Sequence, residues 1–125
     1  MLLKDFYTIK SLEQTEGQNY VAHIVINKDH EVFKGHFPGN PVTPGVCMMQ
    51  IIKELTQQVI NAQLILKSAS NIKFMALINP EVNPDLRLEL DITNTGDGLV
   101  KVKNTTFFDD TVALKLSCVY SVSNL

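Results

Sequence analysis

The fold follows from one amphipathic segment, residues 43–61, whose sequence is TPGVCMMQIIKELTQQVIN. Thr43 is a suitable helix N-cap, and Pro44 suits the first helical position, where its missing N–H would have no partner anyway. Apolar residues then recur at helical spacing: Met48, Ile51, Ile52, Leu55 and Val59. This pattern predicts one long helix from about Pro44 to Asn61.

The remainder of the chain carries strand patterns. Before the helix, residues 20–26 are mostly apolar and alternate, which predicts a strand. After it, residues 64–66 and 71–78 are apolar and partly alternating. Residues 86–92 alternate strictly between apolar and charged side chains, which is typical of a half-buried strand.

Two turn signals separate the last strands. The sequence Asn94-Thr95-Gly96-Asp97-Gly98 supplies residues that tolerate positive φ, so residues 99–108 are expected to fold back as a hairpin strand. Asp109-Asp110 marks a second tight turn. The strand after it has one apolar face, formed by Val112, Leu114, Leu116, Cys118, Tyr120 and Val122.

The order of these elements predicts an α+β fold in a single domain, residues 1–125. Residues 46–52 contain only one polar side chain, Gln50, so most of the circumference of the helix is expected to be buried. Such a helix needs walls on several sides, and a curved antiparallel sheet of five or more strands wrapped around it is the simplest solution. A chain of 125 residues is long enough for one core and too short for two.

Composition excludes several classes of protein. Hydrophobic residues make up 45% of the chain and charged residues 19%, a globular rather than a disordered balance. The net charge of -2 offers no basic excess for a phosphate backbone, so we expect no nucleic-acid binding. Cys47 and Cys118 lie in apolar runs and are expected to be buried thiols. Because no apolar run approaches the ~20 residues of a bilayer span and no signal-peptide core is present, we expect a cytoplasmic protein without membrane contact.

The segment before the helix, residues 32–45, contains three prolines and three glycines. This composition predicts an ordered loop without regular secondary structure. His36 is the one histidine in the loop, and histidine is the commonest general acid or base near neutral pH. The amides of Gly45 and Val46, in the first helical turn, could hold a thioester carbonyl as it gains enolate charge. The alternative is a structural histidine that hydrogen-bonds a turn.

A resemblance to a known family is carried by residues 35–46, Gly-His-Phe-Pro-Gly-Asn-Pro-Val-Thr-Pro-Gly-Val. They resemble the Gly-His-Phe-Pro-Gly-x-Pro-x-x-Pro-Gly-Val signature of the bacterial β-hydroxyacyl-acyl-carrier-protein dehydratases. Phe74 and residues 80–86, Pro-Glu-Val-Asn-Pro-Asp-Leu, resemble that family's strand and the turn after it, without the turn's glycine. The resemblance implies a hot-dog fold, a homodimer or higher homo-oligomer, and an acyl tunnel between subunits.

The resemblance also implies an enzyme, a hydro-lyase of fatty-acid or related polyene or polyketide biosynthesis. It would remove water from a 3-hydroxyacyl thioester, carried by acyl carrier protein or coenzyme A, to give the trans-2-enoyl thioester. Neither a metal nor an organic cofactor is implied. His36 falls on the family's catalytic histidine, and Gly45 on the residue whose amide binds the thioester carbonyl. We expect Phe37, Val46 and Met49 to contribute to the substrate-binding surface.

Two departures from the family matter: the chain lacks a Pro-His-Arg-type opening segment, and the family's acidic residue is replaced. Members of the family place a glutamate or aspartate fourteen residues after the catalytic histidine, where this chain has Gln50. A carboxyl can donate a proton to the leaving hydroxyl, whereas an amide can only hydrogen-bond it. Gln50 therefore orients the hydroxyl while His36 makes both proton transfers, or marks a silent subunit that pairs with an active homologue, or belongs to a solvated helix stripe. Glu54, one turn further along, is not expected to replace the acid.

Two other functions remain compatible with these residues, a hot-dog thioesterase and a non-catalytic acyl-binding partner subunit. A mildly acidic chain would suit an acidic carrier protein only where its few lysines cluster. His23 and His30 are expected to be structural or solvated, and no carboxylate pair is spaced for metal binding. The first residues of the chain carry no diagnostic pattern.

Overall fold

Six strands and two helices make up the described part of the chain, residues 4–35, 37 and 39–123 of a computed structural model. The strands are β1 (Tyr7–Gln14), β2 (Asn19–Ile26), β3 (Leu64–Phe74), β4 (Asp85–Asn94), β5 (Leu99–Phe108) and β6 (Thr111–Val122). The helices are α1 (Val32–Gly35) and α2 (Gly45–Ile60). The predicted catalytic histidine, His36, lies outside the described residues.

All six strands form one antiparallel sheet in the order β1-β2-β4-β5-β6-β3. This confirms the predicted antiparallel sheet of five or more strands. In the β4–β5 hairpin, Leu90 lies opposite Asn104. Gly96 and Gly98 in its turn have φ angles of 81° and 85°, which residues with a Cβ rarely adopt. Within the described residues, β1 and β3 are the two edges of the sheet.

Helix α2 packs against the apolar face of this sheet. The helix residues that are buried are Cys47, Met48, Ile51, Ile52, Leu55 and Thr56. Strand β4 faces them with alternate residues, Leu86, Leu88, Leu90 and Ile92. Burying one such apolar side chain contributes roughly 1.5–3 kcal/mol, so helix and sheet stabilise each other. The predicted helix and the α+β arrangement are confirmed, although Val59 is only partly buried.

The two ends of α2 differ in how well the sequence predicted them. Pro44, not Thr43, is the N-cap, with φ -63° and ψ 144°. Thr43 lies one residue too early to cap: its amide bonds Ile78 O at 2.9 Å, and its buried hydroxyl has no partner among the described residues. At the other end, Asn61 takes the left-handed conformation that asparagine tolerates, and its amide bonds Gln57 O.

Two further predictions were wrong, and one strand was not predicted. Residues 32–35, expected to be loop, form the single helical turn α1, which buries Phe33. Strand β3 runs unbroken from residue 64 to residue 74, whereas two strands, 64–66 and 71–78, were expected. Most of its central residues (Lys67, Ser68, Ser70 and Asn71) are polar and exposed, as is common on an edge strand, so they gave no strand pattern. Strand β1 was not predicted, since its burial also follows no simple alternation.

We expect Ile52→Ala to lower the free energy of unfolding by about 2–5 kcal/mol, because the Ile52 side chain is 0% exposed and its removal leaves a cavity. Val82→Ala is the matched control, since Val82 is 69% exposed, and should change stability by no more than about 0.5 kcal/mol. Urea denaturation measures both variants. Equal effects would contradict the central position of α2.

Candidate functional site

The first turn of α2 carries two backbone amides, those of Gly45 and Val46, with no acceptor among the described residues. The next two amides, of Cys47 and Met48, both reach Pro44 O, at 3.0 and 3.3 Å. The helix dipole adds a positive potential at the same end. Two free amides at a positive helix end are what an oxyanion-binding site requires.

An apolar cavity of about 470 Å³ opens beside this turn. Its walls include Thr43, Gly45, Met48, Phe74, Ile78 and Leu114. Gly45 has no room for a side chain, because a Cβ built there would lie 2.6 Å from Cζ of Phe74. Phe74 is 60% exposed, so its ring forms an outer wall of the cavity next to the free amides.

A second hollow, of about 260 Å³, lies along α2 and is called the α2 groove here. It is lined by Val46, Met49, Gln50, Lys53, Leu66 and Tyr120. Three of the predicted site residues, Val46, Met49 and Gln50, therefore share one surface. Val46 is exposed, whereas Met49 and Gln50 are half-buried. Gln50 thus lies in a partly enclosed, largely apolar groove.

Gln50 also belongs to a hydrogen-bonded chain with two residues that the sequence did not place in the site, Glu54 and Tyr7. Its Nε2 donates to Glu54 Oε2 at 3.0 Å, and the Tyr7 hydroxyl donates to Glu54 Oε1 at 2.8 Å. Burial, helped by the bond to Glu54 and by its charge, raises the pKa of Tyr7 well above its ordinary value. A tyrosine phenol is already protonated at physiological pH, and the raised pKa lets Tyr7 keep donating at more alkaline pH.

The spacing of Gln50 and Glu54, four residues apart on a helix, was a signal that their side chains could meet. Tyr7 gave no such signal. It begins β1, 47 residues before Glu54 in the chain, and only the tertiary fold brings the two together.

Phe37 lies in neither of these hollows. It lines a third one, of about 400 Å³, together with Lys28, Lys34 and Glu81. The Phe37 ring is 56% exposed, and its backbone closes a tight turn with Asn40 through bonds of 3.3 and 2.9 Å. The single chain therefore separates Phe37 from Gly45 and from the α2 groove.

The two other histidines have the surroundings expected of structural or solvated residues. His30 uses both ring nitrogens: Nδ1 accepts from the Val32 amide at 3.1 Å, and Nε2 lies 3.0 Å from Lys4 O. Its ring also meets the Phe6 ring edge-on, with centroids 5.1 Å apart. His23 is exposed on β2.

Cys47 and Cys118 are buried free thiols, as predicted, and burial raises the pKa of both. In residues 4–35, 37 and 39–123, no group of three histidine, cysteine, aspartate or glutamate side chains could hold a metal ion.

No helix in the described part of the chain is long and apolar enough to span a bilayer.

Comparison with known protein families matches residues 12–108 to the ApeI-like family, described as ApeI dehydratase. The match covers well over half of the chain. This chain belongs to the ApeI-like dehydratase family. Among its relatives is the 3-hydroxyacyl-[acyl-carrier-protein] dehydratase FabZ of Lactobacillus helveticus, which is 26% identical over 97% of this chain and 88% of the relative. The enzyme of the same name from Bacillus cereus is 27% identical over 92% of this chain and 83% of the relative.

Solved structures show the same fold. One chain of the dehydratase heterocomplex ApeI:P from Xenorhabdus doucetiae superposes with a TM-score of 0.72 at 19% identity, covering 91% of this chain and 96% of that one. A hypothetical thioesterase with coenzyme A from Streptococcus pneumoniae gives a TM-score of 0.68 at 10% identity, covering 98% and 91%. The hot-dog fold predicted for this ApeI-like chain is confirmed, and so is the dehydratase resemblance of residues 35–46.

We expect Gly45→Ala to displace the Phe74 ring and to weaken substrate binding at the adjacent amides, because the new Cβ would overlap that ring. The ring can turn into solvent, so the free energy of unfolding should fall by no more than about 1 kcal/mol. A double-mutant cycle with Phe74→Ala, measured as KM for a 3-hydroxyacyl thioester, tests the contact. Gly45→Ala should cost much less in the Phe74→Ala background, and equal costs in both backgrounds would rule out the overlap.

Proposed function

We propose that this ApeI-like protein removes water from a 3-hydroxyacyl thioester, carried by acyl carrier protein or coenzyme A, to give the trans-2-enoyl thioester. The observation that carries the proposal is the pair of free amides of Gly45 and Val46 beside an apolar cavity, directly after the loop that holds His36. Those amides suit the thioester oxygen, and the cavity suits an acyl chain.

The proposed reaction needs one negative charge to be stabilised and two protons to be moved. The amides of Gly45 and Val46 polarise the thioester carbonyl, which acidifies the C2–H bond. His36 takes the C2 proton, and the C3–O bond breaks as the hydroxyl leaves. The same histidine returns its proton to the departing oxygen, so the products are the enoyl thioester and water. The step is redox-neutral and needs no cofactor.

The position of Gln50 supports an orienting role for its side chain in this reaction. It lies in the α2 groove with Val46 and Met49, rather than in open solvent. Its amide can hold the leaving hydroxyl by a hydrogen bond but has no proton to give. We therefore assign both proton transfers to His36.

A second copy of the chain is part of the proposal. Edge strand β3 exposes four large apolar side chains, Ile65, Leu66, Ile72 and Phe74. An exposed apolar edge is normally covered by another strand or chain. Since Leu66 also lines the α2 groove, a partner seated on β3 would help to enclose the site. We propose a homodimer, and the cytoplasmic location stays a prediction.

Light scattering should show a dimer at micromolar concentration. Ile72→Lys should shift the protein to monomer and lower dehydratase activity, because a lysine on a sheet edge opposes pairing. Val82→Lys places the same charge on an apolar residue outside β3 that is more exposed than Ile72, and it should change neither. A monomeric parent, or an unchanged dimer in Ile72→Lys, would contradict the assignment of β3.

The position of two lysines supports the proposal that the acyl group is bound to a carrier. Lys28 and Lys34 line the third hollow beside the histidine loop, although Asp29 and Glu81 lie there too. The acidic chain thus has two of its lysines beside Phe37 and Gly39, where they would attract an acidic carrier or a phosphate-bearing thioester.

A silent partner subunit is the second candidate function. Gln50, in place of the family's acid, favours it, and the ApeI:P neighbour is itself a heterocomplex. A thioesterase is the third candidate, supported by the likeness in fold to the Streptococcus pneumoniae protein alone. The three differ in product: enoyl thioester from a dehydratase, free thiol from a thioesterase, and neither from a silent subunit.

His36→Ala should reduce the formation of enoyl thioester from a 3-hydroxyacyl-carrier thioester by at least about 10²-fold, the contribution of a positioned acid–base group. Its melting temperature should stay within a few degrees, because prolines and glycines shape the loop. His23→Ala, on the exposed face of β2, is the matched control and should keep the parental rate. A His36→Ala protein that retains most of its activity would overturn the mechanism.

A further inference from the structure

Three side chains join edge strand β1 to the α2 groove. The Tyr7 hydroxyl donates to one oxygen of Glu54 at 2.8 Å, and Gln50 Nε2 donates to the other at 3.0 Å. Both carboxylate oxygens of Glu54 are therefore acceptors. Tyr7 is the first residue of β1 and lies opposite Ile26 of β2, so the sheet fixes its position.

This arrangement decides which end of the Gln50 amide meets Glu54. An ionised carboxylate has no hydrogen to donate, so it can bond the NH₂ group of an amide but not the oxygen. The Gln50 nitrogen must turn towards Glu54, which leaves its oxygen unclaimed by that residue. No described residue donates to Gln50 Oε1. The amide thus keeps a free acceptor in the α2 groove.

We infer that Glu54, held by Tyr7, is a positioning residue that keeps the Gln50 oxygen available to accept a hydrogen bond from the substrate's 3-hydroxyl group. This inference rests on the proposed dehydratase function. With its hydrogen donated to Gln50, the hydroxyl oxygen keeps its lone pairs for the proton delivered by His36. The amide stays neutral throughout, and no proton passes through Glu54.

The same geometry separates this role from that of a substitute acid. Each oxygen of Glu54 accepts a hydrogen bond, one from Tyr7 and one from Gln50, so neither is placed to give a proton to the substrate. Its effect on the reaction is therefore indirect, through the orientation of Gln50.

The orientation is tested without any assay of activity. The side-chain NH₂ signals of Gln50, identified by their loss in Gln50→Ala, should shift in the NMR spectrum of Glu54→Gln, because the carboxylate that accepts from them is replaced by an amide. They should keep their positions in Glu13→Gln, which removes one exposed carboxylate of β1. Gln50 signals at the parental positions in Glu54→Gln would overturn the inference.

The consequence for catalysis is tested by kinetics. Glu54→Gln should lower kcat about tenfold, the equivalent of one hydrogen bond of ~1.4 kcal/mol. Tyr7→Phe should have a smaller effect in the same direction, and Glu13→Gln should have none. A parental kcat in Glu54→Gln would show that the contact is structural only.

A carboxyl group introduced at position 50 gives a second kinetic test. Gln50→Glu supplies a proton donor and should raise the rate by up to ~10²-fold. The new carboxyl would lie within hydrogen-bonding distance of Glu54, and two adjacent carboxyls share a proton, which raises the pKa of the pair. A general acid must be protonated to act. The rate increase in Gln50→Glu should therefore persist to higher pH than the rate increase in the double variant Gln50→Glu/Glu54→Gln. If the rate falls at the same pH in both variants, the contact between residues 50 and 54 is contradicted.

These readouts separate the two proposals. If no variant forms enoyl thioester but the Gln50 signals shift in Glu54→Gln, the proposed function fails and the orientation stands. If enoyl thioester forms but the Gln50 signals are unchanged in Glu54→Gln, the function stands and this inference fails.

Discussion

The burial of α2 by the antiparallel sheet is the constraint on which the rest of the molecule depends. Ile51, Ile52 and Leu55 are fully buried, so the helix cannot turn about its axis without exposing them. This fixes which residues are left on the uncovered side. The same packing holds the first turn of α2 beside the apolar cavity, where the amides of Gly45 and Val46 have no acceptor among the described residues.

The side of α2 that the sheet does not cover carries residues of the proposed site. It carries Val46, Gln50 and Glu54, and both edges of the sheet reach it, β1 through Tyr7 and β3 through Leu66. The α2 groove is open on one side, and the apolar edge strand β3 lies beside it. A second subunit that packs on β3 would complete the site. The amide that replaces the family's acid at position 50 is oriented by the carboxylate of Glu54, so the roles of the two residues are linked.

Patterns in the sequence predicted those parts of the structure that depend on residues close together in the chain. The helical spacing from Met48 to Leu55 and the alternation in β4 gave the core, and the glycine- and proline-rich loop gave the family. Edge strands could not be predicted in the same way, since the exposed polar centre of β3 has no alternation to detect. The contact of Tyr7 with Glu54 spans 47 residues and exists only in the folded chain.

Dehydration is reversible, so its reverse in heavy water tests the central claim most directly. Incubated with a trans-2-enoyl carrier thioester in D₂O, the protein should form the 3-hydroxyacyl thioester with one deuterium at C2 and the thioester bond intact. That product requires a group that delivers a proton to C2 and water to C3. Release of free thiol, or recovery of the enoyl thioester unchanged and without deuterium, would contradict the account.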